Sequence, residues 1–336
     1  MPAHGTHEPS AFHHVQDTYP EGVWELFPSL FGSPVEIHLP KIFGLQITKF
    51  MVLELLAAGL ILLIYIPIAR RAATGELPKG AWWNAFESLL TFIRNDVVRP
   101  TLGEKYADKY VPFFWTLFLF ILFNNLLGIF PFLGSPTASI WVTGGLALCA
   151  FTIMHGAAIA DRGVVRYLTS LWPHIEIVPY PGQPAGHGHG HGHDHGHEHE
   201  HDHNHAHDHD HAPAQPAEPI SARQWLTWGA GAAFGLIICG LIFTLELFGT
   251  VIKSGVLAVR LFANMFAGHM VLATILLFVY QAGRGGLSPL WGAVTVGSVL
   301  GQIALSLLEL FVAFLQAYVF TFLTALFTGM ALHPAH

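Results

Sequence analysis

Residues 256–272 read VLAVRLFANMFAGHMVL, and Arg260 within them is the sole charge in the 26 residues from Gly255 to Tyr280. An arginine at a bilayer centre costs roughly 2.5–3.5 kcal/mol on insertion scales, and arginine does not escape that cost by losing its proton. A permanent cation in such a run points to ion or proton movement. The bland alternative is a snorkelling or purely structural arginine.

The whole chain supports a membrane setting. Its 336 residues are 52% hydrophobic and 11% charged, with a mean hydropathy of +0.48, which leaves no soluble domain of any size. Cys149 and Cys239 lie in apolar runs without CxxC spacing and read as small packing residues. The N-terminal stretch MPAHGTHEPSAFHHVQDTYPEGVWELF lacks the basic start and apolar core of a signal peptide, so it is expected to be retained.

Apolar stretches occupy 46–69, 112–133, 140–160, 225–280 and 287–332. As straight helices at about 1.5 Å per residue, the last two would run roughly 84 and 69 Å against about 30 Å of hydrocarbon. No proline occurs between Pro219 and Pro289 or between Pro289 and Pro334. Each stretch is therefore either a tight pair of spans or one long tilted helix. The expected fold is an all-α polytopic membrane protein. It comprises an outside N-terminal segment (1–45), an upright first transmembrane helix (46–69), an interfacial helix (81–98) and a transmembrane helical hairpin (112–160). A cytoplasmic loop (161–220) follows, and then two long tilted helices form a hairpin over 221–332, joined at 281–288.

The interfacial helix is read from Trp82, Trp83, Phe86, Leu89, Leu90, Ile93 and Val97, which recur at helical spacing with Glu87, Arg94 and Asp96 between them. Arg70, Arg71, Lys79, Arg94, Arg99, Lys105 and Lys109 separate the first two spans, and Arg162, Arg166 and Arg223 separate the third from the fourth. These loops are cytoplasmic by the positive-inside rule. The turn Leu133 to Ser139 carries no basic residue and faces outward.

From His187 to His211 the chain reads HGHGHGHDHGHEHEHDHNHAHDHDH, holding 13 of its 23 histidines. A low-complexity tract of this kind builds no core, and its imidazoles suit loose binding of Zn, Ni or Cu rather than a fixed ligand set. It raises a rival reading, a self-contained zinc or other metal-ion transporter with a His-rich cytoplasmic loop. A metal path needs pairs of His or carboxylate at i, i+3 or i+4 within the spans, whereas His155 and His269 stand alone.

Polar residues instead form stripes on the two long segments. Glu246, Lys253 and Arg260 recur every seven residues with Asn264 one turn beyond, and Gln302, Glu309 and Gln316 repeat the interval. If the helices are antiparallel, one register sets Arg260 opposite Gln316 and His269 opposite Glu309. His269 is nine residues from Arg260, nominally on the opposite side of a helix, so this register calls for a bend or a bridging water. The alternative is that these polar groups serve helix packing alone.

VRLFANMFAGH at 259–269 and SLLELFVAFLQAYVF at 306–320 resemble subunit a of the membrane sector of F-type ATP synthases. FNNLLGIFPF at 123–132 and PTxxxxVT from Pro136 match its middle spans, so the resemblance covers nearly all of 40–332. His269 and Glu309 occupy two positions where other members carry the reverse order, which suits a reciprocal pair. Ser139 and Trp141 stand where Asp and Asn are frequent, a departure at the outer proton entrance. The histidine tract is an insertion and inherits no role.

The resemblance implies a stator beside a rotating ring of c subunits, each with one intramembrane carboxylate, together with b subunits of the peripheral stalk and the rest of the complex. A ring carboxylate enters lipid cheaply only when protonated, and Arg260 would discharge it and separate two aqueous half-channels. His269 and Glu309 are then assigned to the outer proton relay, since imidazole titrates near neutrality. Asn264 and Gln316 would position Arg260 and water, and Glu246 is a candidate for the inner exit. Lys253 either neutralises Glu246 or forms a structural ion pair with it, and Gln302 is a further supporting residue. No nucleotide-binding loop or nucleophile constellation occurs. The chain is thus expected to be a non-catalytic subunit without cofactor or nucleic-acid partner, multi-pass in a bacterial inner membrane.

Overall fold

The computed structural model describes residues 23–25, 36–42, 44–73, 80–130, 133–171, 222–283 and 289–333. Two small antiparallel ribbons come first, β1 (Val23–Glu25) with β2 (Glu36–His38) and β3 (Lys41–Ile42) with β4 (Leu45–Gln46). Their strands are too short to show a period-two pattern, so the sequence offered no strand signal.

The remainder is helical: α1 (Lys49–Ala73), α2 (Ala81–Phe92), α3 (Arg99–Leu102), α4 (Glu104–Gly128), α5 (Ile140–Arg162), α6 (Val164–Leu171), α7 (Ala222–Gly283) and α8 (Pro289–Leu332). Five of these, α1, α4, α5, α7 and α8, are long and apolar enough to cross a membrane. The all-α polytopic expectation holds, and the two proline-free stretches are each one continuous helix of 62 and 44 residues. The histidine tract lies outside the described residues.

Three boundaries differ from the sequence reading. α4 begins at Glu104, because Tyr106, Ala107 and Tyr110 bury their apolar parts despite the polar residues between them, and the helix carries Pro112 in its interior. The segment 81–98 is helical throughout, but past Phe92 it widens into a π-type turn over Ile93–Val98, where Ile93, Val97 and Val98 are fully buried. The loop expected over 161–220 contains α6.

Contacts divide the chain into two compact units, Met1–Tyr167 with Phe248–His336, and Leu168–Leu247. The described part of the smaller unit is the end of α6 and the first stretch of α7, with Leu226, Phe234, Ile237, Leu241 and Leu245 exposed, a lipid-compatible exterior. In the larger unit α4 is central. Phe114 and Phe118 are fully buried, and Phe118 meets Phe314 edge-on at 5.8 Å between centroids. α8 packs on α4 and α5 through small residues, Ala313 and Ala317 on its own surface and Ala150, Ala157 and Ala158 on α5. Without a hydrophobic driving force between helices in lipid, such small residues permit the close packing that holds them.

Polar contacts tie the two ends of this unit. At one end Arg162 donates to the carbonyl of Ala331, satisfying a terminal carbonyl of α8, and the His333 ring lies 3.2 Å from the carbonyl of Leu102. At the other end Lys49, on the first turn of α1, reaches the turn between α4 and α5 at Gly134.

Candidate functional site

α7 sorts its side chains by helical phase. Leu257, Leu261, Met265, His269 and Leu272 form one buried stripe, with His269 only 9% exposed. Arg260 belongs to the opposite, exposed face with Val256, Val259 and Ala263. Nine residues at about 100° each is half a turn, so imidazole and guanidinium leave the helix in opposite directions without any bend. The expected register sets Gln316 opposite Arg260, on the face that Asn264 shares one turn away. Gln316, 1% exposed, accepts at Oε1 a 3.0 Å hydrogen bond from Nδ2 of Asn264, one turn further along α7.

Glycines bring Glu309 and His269 close to backbone. A Cβ on Gly268 would overlap Oε1 of Glu309, so the half-buried carboxylate of α8 lies directly against α7. A Cβ on Gly128, at the end of α4, would stand 2.9 Å from Nε2 of His269 and 3.0 Å from Oγ of Ser135. The imidazole and the hydroxyl thus flank one bare point of backbone.

A cavity of about 260 Å³ opens among these groups, lined by Asn125, Gly128, Asn264, Gly268, His269 and Glu309 together with aliphatic residues. Among the described residues no hydrogen bond joins His269 to Glu309. They share a space with room for several waters, each of which occupies about 30 Å³ of liquid, and water-mediated exchange is the chemistry it suits. Behind it runs a buried polar chain. Oγ of Ser135 and Oγ1 of Thr137 lie 2.6 Å apart, the Thr137 hydroxyl donates to Oδ1 of Asn125 at 2.6 Å, and Nδ2 of Asn125 donates to the Ala313 carbonyl at 3.2 Å.

Sequence reasoning missed Asn125, Ser135, Thr137, Gly128 and Gly268 as site residues. Asn124 and Asn125 were legible as a polar pair inside an apolar run, and Ser135 and Thr137 as hydroxyls around a proline. Which of them reach His269 is a matter of packing. The two residues singled out there behave differently: Trp141 is 86% exposed, and the backbone of Ser139 begins α5 by accepting from Thr143.

Among the described residues that line this cavity, Lys253 and Gln302 do not figure. Lys253 is exposed and places its ammonium 5.4 Å from the centroid of Phe327. Glu246 is exposed and belongs to the smaller unit. Gln302 lines a separate groove of about 310 Å³ with Ile129, Ser306 and Leu310. Cys149, read as a packing residue, is exposed. Among the described residues no group of three or more His, Cys, Asp or Glu side chains is placed to hold a metal.

Comparison with known proteins gives a consistent picture. The family described as ATP synthase A chain matches residues 51–184 and 222–329. The chain is 31% identical over 344 residues to ATP synthase subunit a 2 of Prosthecochloris aestuarii, covering 99% of this chain and 83% of that one. It is 32% identical over 292 residues to ATP synthase subunit a of Myxococcus xanthus, covering 87% and 75%. It is 33% identical over 305 residues to ATP synthase subunit a 2 of Chlorobaculum tepidum, covering 88% and 67%.

Proposed function

The chain belongs to the ATP synthase A chain family, and from that premise we propose that it is the stator of a rotary proton path in a bacterial plasma membrane. In this reading it adjoins a ring of c subunits and the b subunits of a peripheral stalk, and ATP chemistry belongs to other subunits. The observation that carries it is the opposite exposure of Arg260 and His269 on α7. An exposed intramembrane guanidinium needs a partner of opposite charge arriving from outside the chain. A buried imidazole needs a supply of protons from within it.

The cavity bounded by His269 and Glu309 is the inner part of the outer half-channel. Protons pass through water between imidazole and carboxylate and on to a ring carboxylate on the Arg260 side. Asn264 and Gln316 fix α7 against α8 immediately beneath Arg260, and the cation discharges each arriving carboxylate. Glu246 serves the opposite half-channel, with Lys253 and Gln302 in supporting places. Each proton crossing 100 mV releases about 2.3 kcal/mol, so several are used per ATP.

The test is proton flux in vesicles containing the whole complex. Arg260→Ala is expected to abolish ATP-driven pumping while deletion of 187–211 leaves it intact. Metal-dependent flux by the isolated chain, indifferent to Arg260, would overturn the reading in favour of a transporter.

A further inference from the structure

The buried polar chain of Ser135, Thr137 and Asn125 has a direction, and that direction is fixed at its Asn125 end. A backbone carbonyl only accepts, so the Asn125 amide must turn Nδ2 to the Ala313 carbonyl, 3.2 Å away. Oδ1 of Asn125 then faces Thr137 and takes its one hydroxyl proton over 2.6 Å. The 2.6 Å contact between Thr137 and Ser135 is left with a single solution, in which Ser135 donates. The carbonyl of Asn124, 3.3 Å from the Ser135 oxygen, competes for that same proton. In either case Ser135 has spent its proton inside the chain and keeps a lone pair. Asn125 and Ser135 are 1% exposed and Thr137 is fully buried, so bulk water does not enter to reverse the order.

We propose that Ser135 is a positioning residue of the proton relay: its oxygen, left as an acceptor only, holds the hydrogen of the neutral His269 ring on Nε2 and leaves Nδ1 to take up and release each transported proton. The inference rests on the proton-path reading of the cavity. Oγ of Ser135 and Nε2 of His269 stand 3.0 and 2.9 Å from one point, the place of the absent Cβ of Gly128, and with Cβ of Ser135 they are the atoms nearest to it. A small turn of either side chain joins them, and an oxygen that only accepts selects a ring nitrogen that donates. Gly128 makes the meeting possible, because a side chain there would fill the space they share. The transfer balances within the ring. A hydronium in the cavity gives its proton to Nδ1 and becomes water, the ring becomes imidazolium, and Nδ1 returns the proton towards Glu309 while Nε2 keeps its own. Without the acceptor the neutral ring divides between two tautomers, and the form with hydrogen on Nδ1 has no lone pair there for the arriving proton.

The experiment is solid-state NMR on the whole complex in lipid bilayers, with isotopically labelled histidine rings and residues 187–211 removed to clear the signals of the tract. Resonances lost in His269→Gln identify the ring, and at alkaline pH the nitrogen that bears hydrogen is read from its shift and coupling. The native complex and Ser135→Thr are expected to carry that hydrogen on Nε2. Ser135→Ala is expected to show both tautomers and to pass protons about fivefold more slowly, the fold-change that one neutral hydrogen bond is worth, with Ser135→Thr restoring the rate. Hydrogen on Nδ1 in the native complex, a Ser135→Ala ring identical to the native one, or mixed tautomers that conduct at the native rate overturn the assignment. Should the Ser135 variants fail to assemble, the native spectrum still decides. Failure of the underlying reading looks different: hydrogen on Nε2 as expected, with proton flux unchanged in His269→Gln.

Discussion

Asn264 and Gln316 are joined by a 3.0 Å hydrogen bond, amide nitrogen to amide oxygen, between α7 and α8 one helical turn from Arg260. Gln316 is almost wholly buried, so its acceptor has lost water and is satisfied by Asn264. Asn264→Ala is expected to cost about 1–3 kcal/mol, the penalty of a stranded buried acceptor. The double change with Gln316→Leu should recover part of that loss. Thermal dissociation of the purified complex, run as a double-mutant cycle, is the check.

Arg260 points away from the core of its own chain. Arg260→Ala should therefore change thermal stability by less than about 0.5 kcal/mol while ATP-driven proton pumping disappears. Measuring both on one preparation separates a functional cation from a structural one, since a structural arginine would lose stability and activity together.

Gly268 lets the Glu309 carboxylate lie against the backbone of α7. Gly268→Ala forces that carboxylate aside and should cost about 1–3 kcal/mol as overpacking, with a fall in proton flux. Gly145→Ala is the control, since a side chain there meets nothing within 4 Å. Equal behaviour of the two variants would deny the carboxylate its place in the path.

The Thr137 hydroxyl is fully buried and donates to Asn125. Thr137→Val keeps the shape and removes the bond, stranding Oδ1 of Asn125 at a cost of about 1–3 kcal/mol. Flux should slow at unchanged coupling ratio, read as protons moved per ATP hydrolysed. A changed ratio with unchanged flux would place Thr137 at the ring interface instead.

The histidine tract invites a deletion. Removing 187–211 should leave proton flux at its native level and reduce the zinc retained by the complex after gel filtration, because free imidazoles bind such metals loosely. Loss of flux on deletion would give the tract a part in translocation.

Much of the fold was legible in advance because lipid imposes a simple constraint. Backbone polar groups must be satisfied within each segment, so long apolar runs are helices wherever they cross, and the absence of proline through α7 and α8 kept each continuous. What periodicity left out has one cause. Tyr106 and Tyr110 are buried despite polar neighbours, and Ile93 and Val97 enter the core although their spacing suits an interface. Burial depends on which neighbour a face meets, and periodicity describes only the face.

The linear order of residues was enough to mark an all-α membrane chain with one arginine isolated in a long apolar run, and to put Arg260, Asn264, His269, Glu309 and Gln316 on two long helices. Composition and spacing act through local rules of helix geometry and lipid solubility, so they need no partner to be read. Only the tertiary structure decided that Arg260 faces outward while His269 faces the core, and that Gln316 pairs with Asn264. It alone brought Ser135 and His269 to either side of Gly128, with Thr137 against Ser135. Those relations depend on the packed orientation of several helices, set by small side chains at their crossings, and no single segment carries that information.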